Sequence, residues 1–200
     1  MDFRIPALFA FAYLAGGIPT GYLVVKRLYG YDIRTRGSGN PGTANVYRNA
    51  GALPGAVTLV VDAFKGFAPT HLSLFLYPRR PELAIAVGVA AIFGHNWTPF
   101  LGFKGGKGVA TSAGVFSALL PGPMVATVAA FVAAVTLSGH ISVGSMTGAV
   151  ALPIAAVALG SPQAFCWAAA GAGALILVKH ISNIKRLIEN REHGIHGPSA

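Results

Sequence analysis

Apolar segments recur along nearly the whole chain, and they limit what it can fold into. A helix that crosses a bilayer needs about 20 mostly apolar residues. Seven stretches qualify or come close: residues 5–25, 53–77, 82–93, 109–120, 124–138, 143–159 and 164–178. The third, fourth and fifth are short, so either they extend into their flanking loops or one of them does not cross fully. Of 200 residues, 54% are hydrophobic and 10% charged, whereas a soluble domain carries about 25% charged residues. The chain has too little charge to cover a surface facing water. We expect an all-α, polytopic integral membrane protein with about seven transmembrane helices in a single domain over residues 1–200.

The net charge is +9. In a soluble chain this would point to nucleic acid. Here the basic residues sit in short loops between apolar spans, so membrane topology explains them and no nucleic-acid partner is expected. Lys26, Arg27, Arg34, Arg36, Arg48, Lys104, Lys107, Lys179, Lys185, Arg186 and Arg191 fall on one side, and Arg4, Arg79 and Arg80 on the other. Lys65 lies within the second span. The positive-inside rule then puts the N-terminus outside and the C-terminus in the cytoplasm. Lys26-Arg27 follow the first span like a stop-transfer end, so that span is expected to be retained and not cleaved as a signal peptide. The one cysteine, Cys166, lies in an apolar span and excludes a disulfide framework. Gly17 with Gly21, and Gly144 with Gly148, fit the spacing that lets membrane helices approach closely.

Three polar segments fall on the basic side. The first, residues 36–48, reads Arg-Gly-Ser-Gly-Asn-Pro-Gly-Thr-Ala-Asn-Val-Tyr-Arg. It matches G-x-G-x-x-G at Gly37, Gly39 and Gly42, but no strand precedes it and no βαβ unit surrounds it, so a dinucleotide fold is not expected. Its glycines let backbone N–H groups converge on an anion, and a helix starting near Thr43 would point its positive end there. The second segment, residues 94–108, ends Lys104-Gly-Gly-Lys-Gly108 and sets two ammonium groups on an unobstructed backbone. Its spacing is not that of a Walker A loop. Trp97, Phe100 and Phe103 are candidate anchors at the membrane surface. The third segment, residues 179–186, puts His180, Asn183 and Lys185 or Arg186 on one broad helix face. Lysine point charges, forked arginine donors and neutral amides together suit an oxyanion.

Asp62 and Lys65 lie three residues apart inside the second span, either as a mutually neutralising pair or as support for a site. His140, Ser142 and Ser145 form a small polar cluster in a loop, and His193 and His196 are expected to be exposed and inert. None of the three segments has a carboxylate in its core. That argues against a metal-dependent phosphotransferase, and no metal or cofactor is expected. There is also no Gly-x-Ser-x-Gly elbow for a covalent serine mechanism.

The order and spacing of Gly37-Ser-Gly-Asn-Pro-Gly-Thr-Ala-Asn-Val-Tyr-Arg48, Asp62-Ala-Phe-Lys-Gly66, Gly94-His-Asn-Trp, Phe103-Lys-Gly-Gly-Lys-Gly-Val-Ala-Thr111 and His180-Ile-Ser-Asn-Ile-Lys-Arg186 resemble the bacterial acyl-phosphate:glycerol-3-phosphate acyltransferases over residues 5–190. Pro41 and the Thr43-Ala44 order depart from the commoner residues there. Ile181 stands where arginine is frequent, which removes one phosphate contact. The resemblance implies a seven-helix enzyme of the bacterial inner membrane, with its active site facing the cytoplasm. It would transfer a fatty acyl group from acyl phosphate to glycerol 3-phosphate, giving lysophosphatidic acid and inorganic phosphate.

On this reading the acceptor phosphate sits among Arg48, Lys104, Lys107 and the backbone of Gly105 and Gly106. The donor phosphate lies near Ser38 and Asn45. Gly37, Gly39, Asn40, Thr43, Ser142 and Arg186 complete the substrate contacts. Ser38, His95, His180 and Asn183 are the catalytic candidates, and the general base is His95, His180 or a substrate phosphate oxygen. A transporter of a phosphate-bearing solute is the alternative, but it would be expected to hold its cations near the bilayer midplane.

Overall fold

The computed structural model describes residues 2–195. His196 lies outside the described residues. The regular structure is α1 (Arg4–Gly17), α2 (Thr20–Tyr29), α3 (Thr43–Ala50), α4 (Ala52–Leu76), α5 (Pro81–Asn96), α6 (Val109–Leu119), α7 (Pro121–Ser138), α8 (Ile141–Ala158), α9 (Gln163–Lys179) and α10 (Ile181–Ile188), with single 3-10 turns at Ile33–Thr35 and Pro99–Leu101. They fall into two compact units, Met1–Leu119 and Leu120–Ala200.

Among the described residues, three segments are long and apolar enough to cross a membrane: Pro81–Leu101, Pro121–Ser138 and Ile141–Ala158. The count rises to five if α1 with α2 and α9 with α10 each form one bent span. α6 is shorter, and α4 has 25 residues with Asp62 and Lys65 in its middle. Large apolar side chains stay exposed all along these helices, among them Leu53, Phe75, Val125, Leu137 and Trp167, each at least 70% exposed. Apolar exposure on that scale suits a surface facing lipid.

The first expected span is broken in two. Ile18 takes φ −53° and ψ 117°, and α1 and α2 meet at 42°. Pro19 is the cause: it disfavours helical geometry in the residue before it and has no N–H to carry the ladder on. The break also separates Gly17 from Gly21, so they do not form one helix-packing stripe. Gly17 packs against Thr98 and Pro99, and Gly21 against the Pro41 carbonyl.

In the first unit, small residues set the helix crossings. Gly16 lies against Ala91 and Gly94 against Tyr13, joining α1 to α5. Gly66 lies against Thr111 and Gly114 against Ala63, joining α4 to α6. A methyl group at any of these positions would overlap the facing backbone. Without water to drive helices together, such close van der Waals packing holds them in lipid. Leu8, Ala12, Val87 and Ala91 fill the α1–α5 seam, and Val25, Ile33 and Val46 seat the first polar segment. In the second unit, Gly144 and Gly148 both face α7, as their spacing predicts. α10 leaves α9 at a bend of 52°.

Candidate active site

The polar residues form one cluster in each unit. In the first unit, residues 36–45 make a compact turn with Gly37 and Gly39 at φ 54° and 72°, a region closed to most side chains. Asn45, 2% exposed, organises it. Its Nδ2 donates to the Ile33 and Arg36 carbonyls at 3.2 and 3.1 Å, and its Oδ1 accepts from the Ser38 N–H at 3.0 Å. Asn49 Nδ2 adds a bond to the same oxygen. The amide of Asn45 is thus spent on shaping the loop around Ser38. Asn40 Oδ1 accepts from the Gly42 N–H at 2.9 Å, and α3 begins at Thr43 as expected. Thr43 Oγ1 is buried without a hydrogen-bond partner, and Arg48 is half-buried.

The second segment folds back over the end of α5. Thr98 Oγ1 donates to the Gly17 carbonyl, and Tyr13 OH to the Trp97 carbonyl at 2.8 Å. Phe93 and Trp97 rings lie 4.9 Å apart, while Phe100 and Phe103 are 56% and 61% exposed. The Gly105 N–H bonds to the Asn96 carbonyl at 3.2 Å, and the Gly106 N–H to the His95 carbonyl at 3.1 Å. Only glycine fits there, because a Cβ on Gly106 would strike His95 Nε2 and one on Gly105 the His95 carbonyl. Lys104 is exposed and Lys107 half-buried on either side.

Gly105, Gly106 and Pro41 line one cleft with Ile18, Asp62, Lys65, His95 and Thr98. The first and second segments are therefore brought together. A carboxylate is brought in too: none stands within those segments, yet Asp62 lies at the cleft wall 2.8 Å from Lys65 Nζ.

In the second unit, His180 and Asn183 are each 3% exposed at the start of α10. His180 Nδ1 faces the Ile176 carbonyl at 2.8 Å. A carbonyl can only accept, so the ring proton belongs on Nδ1, leaving Nε2 as the acceptor nitrogen of the neutral ring. Asn183 Nδ2 and Arg186 Nε donate to the two oxygens of Glu192 at 2.6 and 2.7 Å. Ser142, 5% exposed, also faces this carboxylate, but without a well-formed hydrogen bond. Burial alone would raise the Glu192 carboxyl; the donors Asn183 and Arg186, with the Ser142 hydroxyl nearby, outweigh it and hold the group below the usual carboxylate range. The tail that carries Glu192 is fixed by the Ile195 N–H on the Gly139 carbonyl. His193, expected to be exposed, is half-buried there. Lys185 points outward, and Arg186 is the basic member of the cluster. His140 and Ser145 bond locally, to the Ser138 and Ile141 carbonyls. Sequence reading missed Glu192, whose one signal was its place nine residues after Asn183, beyond the polar run.

These features define a helical membrane protein with a glycine-rich loop flanked by two lysines, Lys104 and Lys107. Residues 6–190 match the glycerol-3-phosphate acyltransferase family, and the chain belongs to it. It is 42% identical over 181 residues to glycerol-3-phosphate acyltransferase of Endomicrobium trichonymphae, covering 90% of each chain. It is 42% identical over 186 residues to that of Geobacter sulfurreducens, covering 93% of this chain and 95% of the relative. Two crystal structures of PlsY, an integral membrane glycerol 3-phosphate acyltransferase, superpose on it. The glycerol 3-phosphate form does so with a TM-score of 0.90 at 34% identity, the lysophosphatidic acid form with 0.88 at 32%. Each covers 96% of this chain and is itself covered to 95%.

Proposed function

We propose that this membrane acyltransferase moves a fatty acyl group from acyl phosphate to the 1-hydroxyl of glycerol 3-phosphate, giving lysophosphatidic acid and inorganic phosphate for phospholipid synthesis. It works as a single embedded domain of the bacterial inner membrane, with seven crossings, the N-terminus outside and the active face in the cytoplasm. The observation that carries the reading is the Lys104–Lys107 loop, where two cations flank glycines that only a bare backbone can occupy. The glycerol 3-phosphate form of the superposed acyltransferase supports it.

The acceptor phosphate is held by Lys104, Lys107, Arg48 and the N–H groups around Gly105 and Gly106. Ser38, with the Gly37, Gly39, Asn40 and Thr43 turn that Asn45 shapes, receives the donor phosphate. The glycerol oxygen attacks the acyl carbonyl carbon, the bond from that carbon to the phosphate oxygen breaks, and phosphate leaves. Phosphate is a good leaving group, so placement and charge stabilisation lower most of the barrier. His180, with its proton fixed on Nδ1, accepts the hydroxyl proton at Nε2. Asn183, Arg186 and Ser142 supply oxyanion donors beside it.

The donor is tested by offering purified protein glycerol 3-phosphate with either palmitoyl phosphate or palmitoyl-CoA. Lysophosphatidic acid from the phosphate alone is the expected outcome, and product from the thioester alone overturns the donor. Orientation is tested in a Cys166→Ser background. A membrane-impermeant maleimide should label Arg79→Cys in intact cells, and Lys104→Cys only after lysis; the reverse pattern inverts the topology.

A further inference from the structure

The proposed steps leave one buried ionic group without a role. Asp62 and Lys65 are 3% and 6% exposed, with Lys65 Nζ 2.8 Å from Asp62 Oδ1. Mutual neutralisation needs only that contact. Each partner also reaches a different element. Lys65 Nζ donates to the Ile18 carbonyl at 2.8 Å, in the break between α1 and α2. Asp62 Oδ2 faces His95 Nδ1 at 3.9 Å, longer than a hydrogen bond. His95 is 8% exposed, and its far edge, Nε2, packs on Gly106. The backbone of the same two α5 residues, His95 and Asn96, holds the Gly106 and Gly105 N–H groups.

We propose that Asp62 and Lys65 are positioning residues for the Lys104–Lys107 loop, acting through the imidazole of His95. The ion pair is pinned to the α1–α2 break, it fixes the face that His95 turns to the cleft, and His95 is the surface on which Gly106 rests. The proposal rests on the reading that this loop holds the acceptor phosphate. It gives His95 a supporting task and leaves the proton transfer to His180.

A buried pair can often be replaced by neutral groups of similar size without loss of stability, whereas removing one partner strands a charge. Asp62→Asn and Lys65→Met should each lower the thermal midpoint, and the double variant should recover it. The double variant should still show a KM for glycerol 3-phosphate raised between about ten- and a hundredfold, the cost of a misplaced binding group, with kcat little changed. Hydrogen exchange of the Gly105 and Gly106 amides should be faster in it than in the wild type. A double variant that recovers the midpoint, the KM and the loop protection together overturns the proposal.

His95→Gln, which keeps the ion pair, covers the case in which the double variant fails to fold. It should speed exchange over residues 104–108 and leave α4 protected; unchanged loop exchange overturns the proposal. The exchange readout does not depend on turnover, so wild-type protein with no glycerol 3-phosphate-dependent activity would sink the functional reading separately.

Discussion

Asn183 Nδ2 lies 2.6 Å from Glu192 Oε1, and that carboxylate, 1% exposed, takes Arg186 Nε on its other oxygen at 2.7 Å. A tail residue thereby fixes two side chains of the second-unit cluster. Glu192→Gln keeps the shape, removes the charge and turns an amide donor toward one of the two donors. A hydrogen bond to a charged group contributes about 1.5–3 kcal/mol, so the thermal midpoint should fall by several degrees. The pH dependence follows from the lowered folded-state value. The stabilisation is fully present above the unfolded-chain value of about 4.3 and is lost as pH falls through the folded one. Melting curves at neutral and acid pH should therefore show the gap between wild type and variant closing on the acid side.

Asn45→Asp tests the first-unit loop. The substitution is isosteric, but it faces an oxygen to the Ile33 and Arg36 carbonyls, where Nδ2 now donates. Leaving buried acceptors unpaired costs about 1–3 kcal/mol each. We expect a lower thermal midpoint and a raised KM for acyl phosphate, measured by initial rates at fixed glycerol 3-phosphate. A variant with wild-type stability would contradict the role given to the amide.

Lys104 is exposed, so Lys104→Ala reads binding with little effect on folding. The KM for glycerol 3-phosphate should rise about tenfold or more with a smaller change in kcat, the pattern of lost uniform binding. Steady-state kinetics at saturating donor decide it, and an unchanged KM removes Lys104 from the site.

His180→Ala should lower kcat by about a hundredfold or more, the usual share of a general base. The loss should be relieved at higher pH, where more of the acceptor hydroxyl is ionised. A pH–rate profile with the wild-type shape and full kcat would exclude His180 as the base.

The helices were legible because their cause is local. Apolar runs mark α4 through α9 to within about four residues of their observed ends. The α1–α2 break was missed because one proline in an apolar run is a weak signal until the freed Ile18 carbonyl is seen to be taken by Lys65. The loops at Gly37 and Gly105 were legible as loops because dense runs of glycine and asparagine break helices and bond nearby backbone. What sequence did not show is long-range: Asp62 facing His95 across 33 positions, and Glu192 folding back on Asn183. The second and third segments looked free of carboxylates because Asp62 and Glu192 reach them from elsewhere in the chain.

In the proposed reaction, cleavage of acyl phosphate is coupled to acylation of glycerol 3-phosphate. Purified protein in a lipid mesophase, given palmitoyl phosphate without added metal, should release inorganic phosphate only when glycerol 3-phosphate is present, with one lysophosphatidic acid formed for each phosphate. Release that ignores glycerol 3-phosphate, or lysophosphatidic acid formed without matching phosphate, would contradict it.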